Sequence, residues 1–379
     1  MSDIDQKAAE KLYMEHGMNL TRAAAAAGMV RSTFTRLLRS KGAPALPQDR
    51  LEFLRSRVAE LERSQRKTLR SEGELLETLD GILKAVKQAE PPAPVKSDPQ
   101  ARASPAPCEM VVHVTDWHYG RMQASDEIEG FNEYSPEVAR ARVDELTRKL
   151  LRKAQVQRAG YNVPKLRIIC TGDMISGDIH DELRASNAFP APRQAVECGY
   201  LFGAFVSQLS ASFEETEVDF VTLDNHGRLT RKPQSTQGGI NSWGYIVGEV
   251  AKRFVTSLPS VRFHLHTCPL AVVKVGPEKY LCFHGHQIKG FHGIPYYGLD
   301  RRVALEAIRR MGMPEVEFTK MLTGHLHVAF NAPKWGIGGS LSGTDTFDHN
   351  QGRHAPAHQS SWFVHPEHGE FDWTRWVLT

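Results

Sequence analysis

Asp116 and His118 stand two residues apart at the end of the apolar, β-branched run Val111-Val112-His113-Val114-Thr115. At the mouth of a strand, side chains two apart project from the same side of the backbone, so this carboxylate and imidazole can share one ion. Four more strand-like runs end the same way. Leu166-Arg167-Ile168-Ile169-Cys170-Thr171 delivers Gly172-Asp173, and residues 218–223 deliver Asp224-Asn225-His226-Gly227. Residues 279–283 end in His284-Gly285-His286, and 318–323 in Gly324-His325-Leu326-His327. A glycine beside the polar residue lets the backbone turn sharply where the strand stops. Ligands of sheet proteins collect at the carboxyl ends of strands.

Carboxylate, amide and imidazole donors without thiolates suit Mn, Fe or Zn in a working site better than a purely structural zinc. Two such cations about 3.5–4 Å apart can clamp a phosphate, supply a hydroxide nucleophile at neutral pH and stabilise attacking and leaving oxygens. Neutral imidazoles keep such a site from becoming too anionic to admit a phosphodiester.

The order D-x-H, G-D, N-H, H, G-H-x-H resembles that of the calcineurin-like metallophosphoesterase superfamily, across residues 110–328. The resemblance implies an α/β fold with a β-sandwich flanked by helices, and two divalent metals bridged by Asp173, Mn foremost and Fe, Zn, Mg or Ni as substitutes. Asp116, His118 and His327 would complete one site, and Asn225, His284 and His325 the other. His284 is preferred over His286 because it sits directly at the strand end, which leaves His286 to face substrate. His226, unligated, would stabilise or protonate the leaving oxygen. The third block of the family usually reads G-N-H-[DE], whereas here it is Asp224-Asn225-His226-Gly227-Arg228. The acidic residue that orients the catalytic histidine is missing, and Asp178 or Asp181 are the candidates to replace it.

The elements that must position these residues follow from length and patterning. A chain of 379 residues with a formal charge of +3 holds more than one folded unit, and any nucleic-acid signal in it has to be local. Five cysteines without paired spacing, two of them (Cys170 and Cys282) inside predicted strands, read as buried hydrophobes in a reducing cytosol. No apolar run approaches the roughly 18 residues of a membrane span, so a soluble cytoplasmic protein, of a bacterium or a phage-infected host, is expected. Residues 136–159 should form a helix opened by Ser135 and Pro136. Residues 179–210 read as mostly helical, and 359–364 with 371–377 as a closing hairpin.

Ahead of this catalytic domain (109–379) three further segments are expected. Residues 1–47 read as three short helices, about 5–16, 20–27 and 31–40, with Gly28 in the turn before the third. That is a helix-turn-helix layout. Arg31, Arg36, Arg39 and Lys41 supply the local positive field that DNA phosphates require. In residues 48–89, Leu51, Leu54, Val58, Leu61, Leu75, Leu79, Ile82 and Val86 share one heptad register, which predicts a coiled coil and a homo-oligomer assembled through 50–88. Residues 90–108 are a Pro-rich linker.

Arg228, Arg231 and Lys232 follow His226 directly, and with His180 and His286 they are the expected substrate contacts. Taken together these features point to a DNA phosphodiesterase with a DNA-binding head, its catalytic half resembling SbcCD-type nucleases and its domain pairing similar to phage and prophage proteins. The alternatives are a small-substrate phosphatase or cyclic-nucleotide phosphodiesterase, and a non-catalytic DNA-binding regulator.

Overall fold

The runs that end in site residues fold as strands because they are apolar enough to be covered on both faces, as parallel strands must be. In the computed structural model these are β1 (Pro107–Val114), β2 (Asn162–Cys170) and β3 (Glu215–Val221), followed downstream by β6 (Glu278–Cys282) and β7 (Lys320–Thr323). The structure describes residues 6–17, 19–38, 56–57, 59–60, 63–64, 107–232, 238–289 and 293–379. The chain divides into two units, Met1–Asp80 and Gly81–Thr379.

In the larger unit β1, β2, β3 and β4 (Val261–His266) run parallel. The hairpin β10 (His358–His365) and β11 (Gly369–Val377) adds antiparallel to β1, giving a six-stranded sheet in the order β11-β10-β1-β2-β3-β4. A second sheet has the order β5-β6-β7-β9-β8, where β5 is Ala271–Val275, β8 Phe330–Asn331 and β9 Trp335–Ile337. Val111, Ile169 and Val221 of the first sheet bury against Val273, Tyr280 and Leu322 of the second. The architecture is mixed α/β with two packed sheets, and β6 and β7 are also mutually parallel. Each sheet therefore collects its own ligand-bearing strand ends along one edge.

Helices cover the outer face of the first sheet. Helix α4 (Pro136–Gln157) begins as expected, the Ser135 hydroxyl accepting from the Val138 N–H, and it buries Val143, Leu146 and Leu150. Residues 179–210 form α5 (Asp181–Ser186) and α6 (Ala191–Ser210), the latter packed beside α7 (Trp243–Phe254). Trp117, Phe202, Phe205 and Phe220 make an edge-to-face aromatic cluster in this layer. On the far side of the second sheet Leu299 of α8 (Tyr296–Arg310) joins Phe283 and Met321 in a smaller core. Helix α9 (Thr346–Asn350) precedes β10. No helix among the described residues is long and apolar enough to cross a membrane.

The N-terminal unit contains α1 (Gln6–Glu15), α2 (Leu20–Ala26) and α3 (Arg31–Leu38), close to the expected spans. Asn19 caps α2, its Oδ1 accepting from Thr21 and Arg22 N–H groups at 3.1 Å each. Gly28, at φ +64°, makes the turn into α3. Small side chains let the helices approach closely, so Ala9, Ala23, Ala24, Ala27 and Phe34 form the core. Arg31, Ser32, Thr33 and Arg36 are exposed. Arg39 and Lys41 lie outside the described residues, as does the linker up to residue 106. Of the coiled-coil segment only 56–57, 59–60 and 63–64 are described, all helical. Strand β1 opens at Pro107, inside the stretch expected to be linker.

Candidate metal centre

Five site residues bend the backbone the same way. Among the described residues seven non-glycine positions have positive φ, and Asp116, His118, Asp173, His325 and His327 account for five of them. Asp and His tolerate the left-handed region better than most residues, but it still costs energy, and such conformations cluster where a side chain must be aimed. Each strand stops and turns its polar residue inward over the edge. Gly324 shows how tight the meeting is: a Cβ there would stand 2.5 Å from the Asp116 carboxylate.

Asp116 is wholly buried and its two oxygens do different work. Oδ2 accepts from the Thr115 hydroxyl (2.8 Å) and from the His325 N–H (2.9 Å), which links the two sheets. Oδ1 has no hydrogen-bond partner and faces Nε2 of His327 at 3.5 Å and Nε2 of His118 at 3.7 Å. Those two ring nitrogens are 3.0 Å apart. Asp173 is built similarly. Its Oδ1 accepts the His226 N–H (2.9 Å), and its Oδ2 lies 2.8 Å from His284 Nε2. His284 donates from Nδ1 to the Thr171 carbonyl (3.0 Å), which turns Nε2 inward.

Asp116, His118 and His327 form one group of converging donors, and Asp173, His284 and His325 another. Asp173 also groups with His118 and His226, so it stands between the two. Asn225 adds a buried Oδ1 without a partner. Burial alone would neutralise Asp116, yet the His118 and His327 imidazoles hold its carboxyl below the usual carboxylate range. Asp173 is held down as well, His284 and His226 outweighing its burial. Two buried carboxylates that stay ionised, with unpartnered oxygens and ring nitrogens aimed at common points, fit divalent cations: such atoms are costly to bury unless something binds them.

No protein-family model matches this chain, and no curated protein matches it. Over 71% of its length the chain is similar to several solved structures, among them the following. One is vacuolar protein sorting 29 from Cryptosporidium parvum, at 13% identity over 98% of that chain with a TM-score of 0.31. A conserved protein from Streptococcus pneumoniae, described as a predicted phosphoesterase, has 11% identity over 98% of its chain and a TM-score of 0.26. A single mutant of vacuolar protein sorting 29 from Entamoeba histolytica has 14% identity over 99% of its chain and a TM-score of 0.25. Likenesses this weak leave the site to be read from its own geometry.

The donors sit beside a cleft of about 790 Å³ lined by Asp173, Asn225, His226, His325 and His327 among others. The acceptor that orients His226 is neither Asp178 nor Asp181. His226 donates from Nδ1 to the Ser176 carbonyl at 2.6 Å, while Asp178 pairs with Arg184 and Asp181 with Arg231. Burial pushes His226 down to about 3, so the ring is neutral with Nε2 as its free nitrogen. Gly227 replaces the acidic residue of the resemblance for a steric reason. Asp224 Oδ1 accepts the Gly227 N–H (2.6 Å), and a Cβ on Gly227 would meet that oxygen at the same 2.6 Å. Asp224 Oδ2 accepts the Asp173 N–H (2.8 Å), so a single carboxylate braces blocks two and three.

Of the expected substrate contacts, Arg228 and His180 line the cleft. Arg228 spends its guanidinium on the carbonyls of Asn225, Thr230 and Arg231, which makes it a brace for its own loop. Arg231 and Lys232 are exposed and outside the lining, Arg231 being held by Asp181 at 2.7 Å. His286 packs near the rings of His284 (5.7 Å) and His325 (6.3 Å) and does not line the cleft.

Sequence reading did not single out Asp348, Arg121, Asp345 or Arg353. Asp348 accepts from Nδ1 of His327, fixing the tautomer that frees Nε2. Arg353 pairs with Asp348 at 3.1 Å, and Arg121 pairs with Asp345. These two guanidiniums balance the further acidic group formed by His327, Asp345 and Asp348. Asp345 carries an N-cap signature, a short acidic side chain opening a helix, which was the one local signal available.

Proposed function

We propose that the chain is a dinuclear-metal-dependent phosphodiesterase of the calcineurin-like metallophosphoesterase kind, that it cleaves DNA, and that its N-terminal unit is a helix-turn-helix head that binds DNA. The observation that carries the catalytic part is Asp173, one ionised carboxylate standing between two groups of inward-facing donors. When bound, two divalent cations, Mn foremost, would polarise the phosphoryl group and activate water. Asp116, His118 and His327 would hold one, and Asn225, His284 and His325 the other, with Asp173 reaching both. The chain's own residues then do the positioning. The Ser176 carbonyl holds the His226 Nδ1 proton, so the bare Nε2 is the nitrogen turned to accept a proton or hydrogen bond in the cleft. It can pass a proton to the leaving oxygen only after taking one up there, for example from the attacking water. Lys289 adds an exposed cation to the cleft lining, where a phosphate could meet it, while the guanidiniums of Arg121, Arg228 and Arg353 in that lining are held by Asp345, loop carbonyls and Asp348. Exposed Arg31 and Arg36 on α3 support the DNA-binding head, and the 50–88 heptads support self-association that would pair two such heads.

One observation favours a second reading, a small-substrate phosphatase or cyclic-nucleotide phosphodiesterase. Arg121, Arg228 and Arg353 of the cleft lining are already engaged within the protein, which leaves fewer free cations along the cleft for a long polymer.

Mn-dependent cleavage of labelled single- and double-stranded DNA, beside a small aryl phosphodiester, separates the two. Wild type is expected to cut DNA, and His226→Ala to lose about 10²–10⁴-fold in kcat with an unchanged Mn midpoint. A shifted midpoint would make His226 a ligand. Turnover of the aryl ester alone would sink the nuclease reading.

A further inference from the structure

Helix α9 presents a single aromatic ring to the cleft from an otherwise immobilised mount. Asp345 caps the helix, its Oδ1 accepting the Asp348 N–H at 2.8 Å, and its other oxygen pairs with Arg121. Gln123 Oε1 accepts both the N–H and the hydroxyl of Thr346 at 3.0 Å. Asp348 is 2% exposed and is held by His327 and Arg353. Phe347, between these anchored neighbours, is 62% exposed and lines the cleft. The Arg353 guanidinium lies over its ring, 5.3 Å from the centroid, and most of the side chain remains exposed.

An exposed phenylalanine by itself means little, because apolar surface is common on folded proteins. Here the mount carries the meaning. The residue after Phe347 positions the metal-ligand candidate His327, so the ring stands in a set relation to the centre. A rigid π-face beside a cation is what single-strand binding sites use to stack bases, and any base can be stacked this way.

We propose that Phe347 is a specificity-determining residue that stacks the unpaired base of a nucleotide next to the phosphate at the centre, with Arg353 holding the ring from its other face. The assignment rests on the phosphodiesterase reading and narrows its substrate class to nucleic acid with an unpaired base, single-stranded or frayed. Duplex DNA, whose bases are already stacked, cannot use the ring without paying to unpair.

Full-length wild type, Phe347→Ala and Phe347→Trp are compared in two assays. Because the side chain is exposed, neither change should disturb folding. In the first assay, a single-stranded oligonucleotide containing 2-aminopurine is titrated with metal-free protein. Wild type and Phe347→Trp should quench its fluorescence by stacking, and Phe347→Ala should not. In the second, Mn-dependent cleavage is measured on a normal single strand and on an abasic strand of equal length. Phe347→Ala should raise KM for the normal strand about tenfold or more, leave the abasic strand unchanged, and be rescued by Phe347→Trp. Quenching that survives Phe347→Ala, or equal KM changes on both strands, overturns the assignment. Wild type that cleaves neither strand yet quenches through Phe347 supports the stacking role and overturns the DNA-cleavage reading alone.

Discussion

Asp348 illustrates at the residue scale how a side chain without contact to substrate can govern the site. It holds the Nδ1 proton of His327 and so keeps Nε2 available as a donor. Outer carboxylates of this kind are worth about 10–100-fold in metal affinity. Asp348→Ala is therefore expected to weaken Mn binding by about that factor in calorimetric titration, with an unchanged circular dichroism spectrum. Wild-type affinity in that variant would show that His327 does not depend on Asp348. The division of labour within Asp116 follows the same logic: one oxygen is tied by Thr115 and His325, and the other is left without a hydrogen-bond partner. Which atom is free matters as much as which residue is present.

At the scale of elements, the strands carry buried imidazoles that set acid stability. His113 of β1 touches Thr171 Oγ1 at 2.9 Å and the edge of Trp362. His358 of β10 accepts the Ala329 N–H at Nε2 (2.9 Å) and donates from Nδ1 to the Pro356 carbonyl (2.6 Å). Burial pushes both down to about 4, against an ordinary 6.5. The unfolded chain therefore takes up protons between those values and the folded chain does not. Their contribution to stability is complete above about pH 6.5 and falls as pH drops towards 4, by at most about 3 kcal/mol each. The urea midpoint measured in chelator should fall between pH 7 and pH 5, and fall less in His113→Phe. An equal fall in that variant would remove His113 from the account.

The chain divides into two units, Met1–Asp80 and Gly81–Thr379. In the N-terminal unit Arg31 and Arg36 are exposed on α3, with Lys7 and Lys11 on α1 and Arg22 on α2 also exposed, while the core is made of alanines and Phe34. Each phosphate contact adds roughly one to the log–log salt slope of DNA binding. Arg31→Ala with Arg36→Ala in the full chain is expected to weaken DNA binding and make that slope shallower by about 2, while turnover of an aryl phosphodiester stays at the wild-type level. An unaltered slope would leave the unit as an assembly module.

The sequence by itself determined the donors and their order. Each candidate ligand ends a hydrophobic run, and the structure stops the corresponding strands within a few residues of Asp116, Asp173, Asn225, His284 and His325. Local pattern is sufficient there because strand period and chain reversal are local properties. Tertiary structure alone decided what surrounds those donors. The acceptor for His226 is a backbone carbonyl fifty residues away at Ser176, and carbonyls carry no residue signature. Asp348 reaches His327, and Arg353 pairs with Asp348 in turn, by folding back from a segment without periodicity, and Arg228 and Arg231, which looked free in the chain, found partners in its folded loops. Side-chain identity fixes what a group can bind; whether it remains free to bind depends on neighbours that only the fold supplies.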